Sequence, residues 1–183
     1  RPVGELVSVI MTVHKINPML DTAVRSVLEQ THGNLELLLI DDGSSEEDAK
    51  VYELFTADPR VRVLRQSTNL GTYACRNVGI RSAAGEFITF MDSDDWQHPQ
   101  KISKCIERMK VNKTTVVAID ASVRLSHDGH IQPNGGAAIR NTAFAGMFWR
   151  AEELRWLGGF DEVRVSADAE ILRRTKVVFG EHR

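Results

Sequence analysis

Only two cysteines stand in the 183 residues, Cys75 and Cys105. They give no disulfide framework and suit a reducing compartment. Neither sign of charge dominates. The formal net charge is -2, so nothing in the charge balance favours nucleic acid or an anionic membrane as a partner. No apolar run nears the length of a membrane span, and no signal-peptide pattern is present. No internal repeat, low-complexity segment or domain linker is evident. No G-x-G-x-x-G follows the first apolar run, which argues against a dinucleotide-binding oxidoreductase. The chain opens on Arg1 rather than Met. That reads as a chain processed or excised from something longer, which leaves room for membrane anchors or partner domains outside it. What is present is ordinary globular material, 42% hydrophobic and 26% charged. One domain of this size can bury roughly 70% of its unfolded surface.

One stretch does not fit packing alone. Phe87-Ile88-Thr89-Phe90-Met91 runs directly into Asp92-Ser93-Asp94-Asp95. Two carboxylates about 5 Å apart repel by roughly 3 kcal/mol at an effective dielectric near 20. A divalent cation is the simplest group to offset that. Magnesium-like ions take one or two carboxylates and complete their shell with substrate phosphates. The competing reading is that these acids only cap and turn the chain. Pro99 opens a helix just downstream.

Leu6 to Thr12 reads as a strand buried on both faces. Asn17-Pro18 reads as N-cap and first residue of a helix with an apolar stripe through Leu20, Ala23, Val24 and Val27. Leu35 to Ile40 is a second buried strand, ending in Asp41-Asp42-Gly43-Ser44. Ser44 with Glu47 fits a capping box. Val61 to Leu64 alternates and so belongs nearer a sheet edge. A helix follows through Tyr73, Cys75, Val78 and Ile80, then the acidic strand. Ile102, Cys105, Ile106 and Met109 are spaced as one helical face. Val116 to Leu125 reads as a long strand, 126–130 as a turn, and Thr142 to Phe148 as another strand. Ala151 to Leu157 is a short helix closed by Gly158-Gly159, and Ser166 begins a last helix.

Alternating strands and helices predict a doubly wound α/β fold with a mostly parallel sheet. Ligands in such sheets bind outside the carboxyl ends of the strands. Thr12, Asp41-Asp42 and Asp92 to Asp95 all fall there.

Taken together, these segments resemble one family. Val7-Ser8-Val9-Ile10-Met11-Thr12, Ile40-Asp41-Asp42-Gly43-Ser44, Asn69-Leu70-Gly71 with Arg76-Asn77, and Gly85-Glu86-Phe87-Ile88 into Asp92-Ser93-Asp94-Asp95 look like glycosyltransferase family two. Gly158-Gly159-Phe160-Asp161-Glu162 and the helix start at Asp168 are similar to its acceptor half. The resemblance runs from about Leu6 to Arg174. It implies a GT-A fold in one domain, with a donor-binding half (1–97) and an acceptor-side half (98–183). It implies an inverting transfer of one sugar from a nucleotide-diphosphate sugar, with UDP favoured, to a hydroxyl on a glycan, lipid-linked or protein acceptor. Nucleic acid is not an expected partner.

The resemblance also assigns roles. Asp42 would bond the uracil ring and Thr12 would line the base pocket. Arg76 would contact the donor. Asp92 would lie near the ribose and the metal, Asp94 would ligate Mn2+ or Mg2+, and Asp95 would support them. Asp168 would be the catalytic base. Without the resemblance, Asp168 reads as an acid in a helix's first turn, favoured there by the macrodipole. Asn77 is expected to be structural, Glu170 is a poorer base, and His182 is a late candidate ligand. Thr12-Val13-His14-Lys15 replaces the family's usual Pro, Thr, Tyr, Asn. Arg173-Arg174-Thr175 is not the Q-x-x-R-W of processive synthases, which favours single addition. The expected location is cytoplasmic, including the cytoplasmic face of a membrane. Two rivals remain: a non-catalytic donor-binding module of a larger glycan assembly protein, and a nucleotidyltransferase. The lack of a glycine-rich basic phosphate loop counts against the second.

Overall fold

The computed structural model describes residues 4–126, 128, 130–132 and 146–180. Its centre is a sheet built from β1 (Val7–Val13), β2 (Leu35–Asp41), β3 (Val61–Arg65), β4 (Phe87–Asp92), β5 (Val117–Ala118) and β8 (Phe148–Arg150). The strand order is β3-β2-β1-β4-β8-β5. The first four strands are parallel, and β8 runs antiparallel to both β4 and β5. The predicted mostly parallel α/β sheet is what forms, with β3 at the edge, as its alternation implied.

The continuous apolar runs follow from burial on both faces. Val7, Val9, Met11 and Val13 pack with one set of helices: α1 (Leu20–Leu28), α3 (Tyr52–Phe55) and α5 (Lys101–Val111). Ile10, Leu38, Ile40, Ile88 and Phe90 pack with the other: α4 (Thr72–Ser82), α6 (Ala151–Trp156) and α7 (Ala167–Phe179). Cys105 is buried in the first layer, as its spacing indicated. The polar member of β1, Ser8, is fully buried at the amino end of the sheet. Its hydroxyl donates to Glu36 Oε1 at 2.6 Å and accepts from the Gly85 amide at 2.9 Å. Ser8→Ala therefore orphans a buried amide and loosens a carboxylate. A loss of about 1–3 kcal/mol is expected in urea unfolding.

Several local expectations shift. The first helix begins at Leu20, not at Pro18. Asn17 instead closes a turn, its carboxamide accepting from the Met19 amide at 2.9 Å. The cap of α2 (Glu46–Ala49) is Ser45, which accepts from the Asp48 amide at 3.1 Å. Ser44 belongs to the preceding turn instead, its amide donating to Asp41 Oδ1 at 3.0 Å and its hydroxyl to the His14 carbonyl. Pro99 lies in a turn, and α5 starts at Lys101. The long strand expected over Val116 to Leu125 is broken into β5 and β6 (Arg124–Leu125). Between them Asp120 turns toward Lys101, 3.8 Å away, and Cys105. β6 pairs with β7 (Ile131–Gln132) in a separate two-stranded sheet. Of the strand expected over Thr142 to Phe148, only Phe148 is in one: β8 runs Phe148–Arg150, Gly146 and Met147 lie before it, and residues 142–145 lie outside the described residues.

Candidate active site

The strand order reverses direction between β1 and β4, so a crevice opens at their carboxyl ends. Thr12 and Asp92 are register partners there. A cavity of about 250 Å3 opens beside them, lined by Thr72, Tyr73, Arg76, Asp92, Arg164 and Asp168. Three residues singled out in the sequence, Arg76, Asp92 and Asp168, thus meet in one cavity from α4, β4 and α7. Thr12, Asp42 and Asp94 are not part of its wall. The volume falls below the roughly 300–1,000 Å3 of whole-ligand pockets, so it suits part of a ligand.

Arg76 is 4% exposed. Its guanidinium donates to Asp92 Oδ1 at 2.9 Å. Three rings box it in, with centroids 5.3 Å away for Phe90 and 5.7 Å for Tyr73 and Phe160. The ring quadrupoles and the carboxylate offset the cost of burying its charge. Phe160 is itself fixed by Asn77. The Asn77 carboxamide donates to the Phe160 carbonyl at 2.8 Å and accepts from its amide at 2.9 Å. A Cβ on Gly159 would lie 2.5 Å from the Asn77 oxygen, and φ there is +76°. Glycine is therefore required. Asn77 is structural, as expected, and its structural role reaches Arg76 through Phe160. Asn77→Ala leaves two buried backbone groups unpaired. It is expected to cost about 2–4 kcal/mol in denaturant unfolding.

Asp42 sits behind the cavity and is 3% exposed. Its carboxylate accepts from the Leu70 amide at 2.6 Å and the Gly71 amide at 3.1 Å. It thereby fixes the loop that leads into α4. Asp41 is fully buried and is spent on the turn, accepting from Ser44 and from Arg65 Nε at 3.0 Å. Cys75 lies close to both acids. Burial, then the hydrogen bond and charge of Asp42, push its thiol up to about 12, so it stays protonated and inert. His14 reaches the same corner, 3.2 Å from the Asp42 carbonyl and 2.8 Å from Asn69 Nδ2.

The loop after β4 is braced by Asn17, which donates to Ser93 at 3.0 Å. Asp94 and Asp95 stand at its exposed surface. Crowding by neighbouring atoms, then the charges of Asp92 and Asp94, raise the Asp95 carboxyl above its ordinary range. Among the described residues, no three His, Cys, Asp or Glu side chains form a ready metal cluster. The donor set is all oxygen and mutually repelling, with only Asp92 paired to a cation. Such a set fits a hard divalent ion that completes its shell from the substrate.

Asp168 lies in the first turn of α7, after Ser166 in the left-handed region at φ 67°. Its Oδ1 accepts from the Ala169 amide at 2.8 Å. Burial, then the Asp168 charge, raise the Tyr73 hydroxyl. Glu170, by contrast, is gripped by Arg174 at 2.9 and 2.5 Å. His182 lies outside the described residues. The lining roles of Thr72, Tyr73 and Arg164 were not foreseen; only the proximity of Arg164 to the Phe160-Asp161-Glu162 motif hinted at its place.

Solved structures share this fold. The structure of S. aureus TarS 1–349 with UDP matches with a TM-score of 0.72 at 20% identity, over 88% of this chain and 52% of that one. The mannosyltransferase PcManGT of Pyrobaculum calidifontis, solved with GDP-Man and Mn2+, matches at 0.68 and 18%, over 88% and 49%. These likenesses establish the GT-A fold. An uncharacterised glycosyltransferase of Haemophilus influenzae is 38% identical over 108 residues, 58% of this chain and 43% of that protein. Glycosyltransferase GlyG of Streptococcus pneumoniae is 35% identical over 115 residues, 62% of this chain and 38% of its own. The chain therefore spans about two fifths of the length of these curated relatives. The sequence model of Glycosyl transferase family 2 matches residues 8–173, from β1 into the helix that carries Asp168, and the chain belongs to that family.

Proposed function

We propose that this chain is the catalytic domain of an inverting, metal-assisted glycosyltransferase. It moves one sugar from a UDP-sugar to an acceptor hydroxyl. The observation that carries this reading is the convergence of Arg76, Asp92 and Asp168 on one cavity at the switch point of the sheet. The neighbours add support for the donor class: TarS structures hold UDP and UDP-GlcNAc, and PcManGT holds GDP-Man with Mn2+.

The acceptor oxygen attacks the anomeric carbon while the bond from that carbon to the diphosphate oxygen breaks. Asp168 takes the hydroxyl proton. Attack opposite the leaving group inverts the configuration. Thr12 and Asp42 serve the uracil end of the donor, Asp92 stands near its ribose and the metal, and Arg76 contacts the donor from beside Asp92. Asp94 and Asp92 would hold Mn2+ or Mg2+, which when bound offsets charge on the departing diphosphate. Residues 1–97 form the donor half and 98–183 the acceptor half. The acceptor is a glycan, a lipid-linked intermediate or a protein. The setting is cytoplasmic, including the cytoplasmic membrane face. Among the described residues no helix is long and apolar enough to cross a membrane.

The test is to incubate the chain with manganese, a panel of UDP-sugars and a panel of acceptor sugars, water serving as the acceptor in their absence, and to assay both nucleoside diphosphate and pyrophosphate. UDP release from at least one donor without pyrophosphate is the expected result. Pyrophosphate release would make it a nucleotidyltransferase. No release from any donor would leave a donor-binding module.

A further inference from the structure

We propose that Arg164 is the free cation of the cavity and takes the donor's diphosphate. This rests on the donor reading above. The cavity holds two guanidinium groups, Arg76 and Arg164, with two carboxylates, Asp92 and Asp168. The arginines differ in what they have left to give. Arg76 is 4% exposed, paired with Asp92 and enclosed by three rings. Its charge is already answered by that carboxylate and those rings, so it has less left to give a second anion. Arg164 is exposed. Among the described residues no carboxylate pairs with it, and its one side-chain hydrogen bond runs from Nη1 to Asn69 Oδ1 at 3.2 Å. A neutral amide leaves the guanidinium charge uncompensated, with most of its five donors open.

The position of Arg164 also points to the donor. Its side chain lies along Gly71, where an added Cβ would be 3.4 Å from Nη1 and 3.9 Å from Cδ and Cζ. Gly71 is held by Asp42, the residue assigned to the uracil. The guanidinium therefore rests on the loop that runs from the base-binding corner to the cavity wall at Thr72 and Tyr73. A diphosphate joins a nucleoside on one side to a sugar on the other, so its oxygens must cross this interval. A planar guanidinium matches phosphate oxygens bidentately, which a lysine cannot do.

The test compares wild type, Arg164→Ala and Arg164→Lys by calorimetry with three probes: UDP, uridine and inorganic pyrophosphate, each with manganese. Losing one charge-assisted contact should weaken UDP and pyrophosphate by roughly tenfold to a hundredfold in Arg164→Ala. Uridine should bind all three proteins alike, and Arg164→Lys should recover only part of the loss. Unchanged UDP affinity in Arg164→Ala would overturn the proposal. An equal loss for uridine would also overturn it, by assigning Arg164 to loop support. Normal UDP binding with a raised acceptor KM would move the anion to the acceptor and likewise overturn it. If wild type binds pyrophosphate through Arg164 but not UDP, the diphosphate role stands and the uracil assignment fails. If it binds neither, both readings fall.

Discussion

Asp168→Asn is expected to lower sugar transfer by about 10²- to 10⁴-fold, the range a positioned general base supplies. Asparagine keeps the shape of the side chain and an oxygen able to accept from the Ala169 amide, now at 2.8 Å from Asp168 Oδ1. The start of α7 is thus preserved, and only the proton acceptor is lost. UDP affinity should stay within about twofold, because a base acts on the acceptor and its contribution appears in the transition state. Neither Glu170 nor Asp92 stands ready as a substitute. Glu170 is held by Arg174 at 2.9 and 2.5 Å, and Asp92 is held by Arg76 at 2.9 Å. Single-turnover transfer and UDP titration, run side by side, separate the two effects. A variant that transfers normally would remove Asp168 from the chemistry and return it to a first-turn helix acid.

Asp94→Ala is expected to reduce transfer by about a hundredfold or more, as loss of several kcal/mol of charge stabilisation requires. Folding stability should hardly change, within about 0.5 kcal/mol, because the residue is exposed. The activity of the variant should rise again at high manganese, since weakened ligation is offset by mass action. A second readout needs no metal. The Asp95 carboxyl is raised by desolvation from neighbouring atoms, then by the charges of Asp92 and Asp94. Removing the Asp94 charge should move the Asp95 titration back toward the ordinary range, observable by NMR. A variant with normal transfer at low manganese would contradict the metal role.

Much of this site was legible because local chemistry and global position agreed. β1, β2 and β4 announce themselves as apolar runs that end in polar residues, and parallel sheets gather such ends on one edge. Thr12 beside Asp92 follows directly from that register. The places where local pattern failed are decided by distant contacts. The sequence reads Ser44 as the cap of α2, but the turn around the buried Asp41 carboxylate, which takes the Ser44 amide, leaves Ser45 to cap it. The residues after Val116 have strand-like composition, yet Asp120 leaves the strand for Lys101 and Cys105 on α5. β8 takes its place by pairing antiparallel with β4 across some sixty residues of sequence. Arg164 gave no sign beyond its closeness to the Phe160-Asp161-Glu162 motif. Its importance comes from lying against Gly71 and Asn69, contacts that no periodicity encodes.

The central claim is a metal-dependent nucleoside-diphosphate site at the carboxyl ends of β1 and β4. Calorimetric titration of UDP into the chain, with and without manganese, tests it most directly. The expected result is saturable binding that tightens markedly when manganese is present. No binding of UDP under either condition would contradict the UDP assignment, and equal binding under both would contradict the metal's part in it.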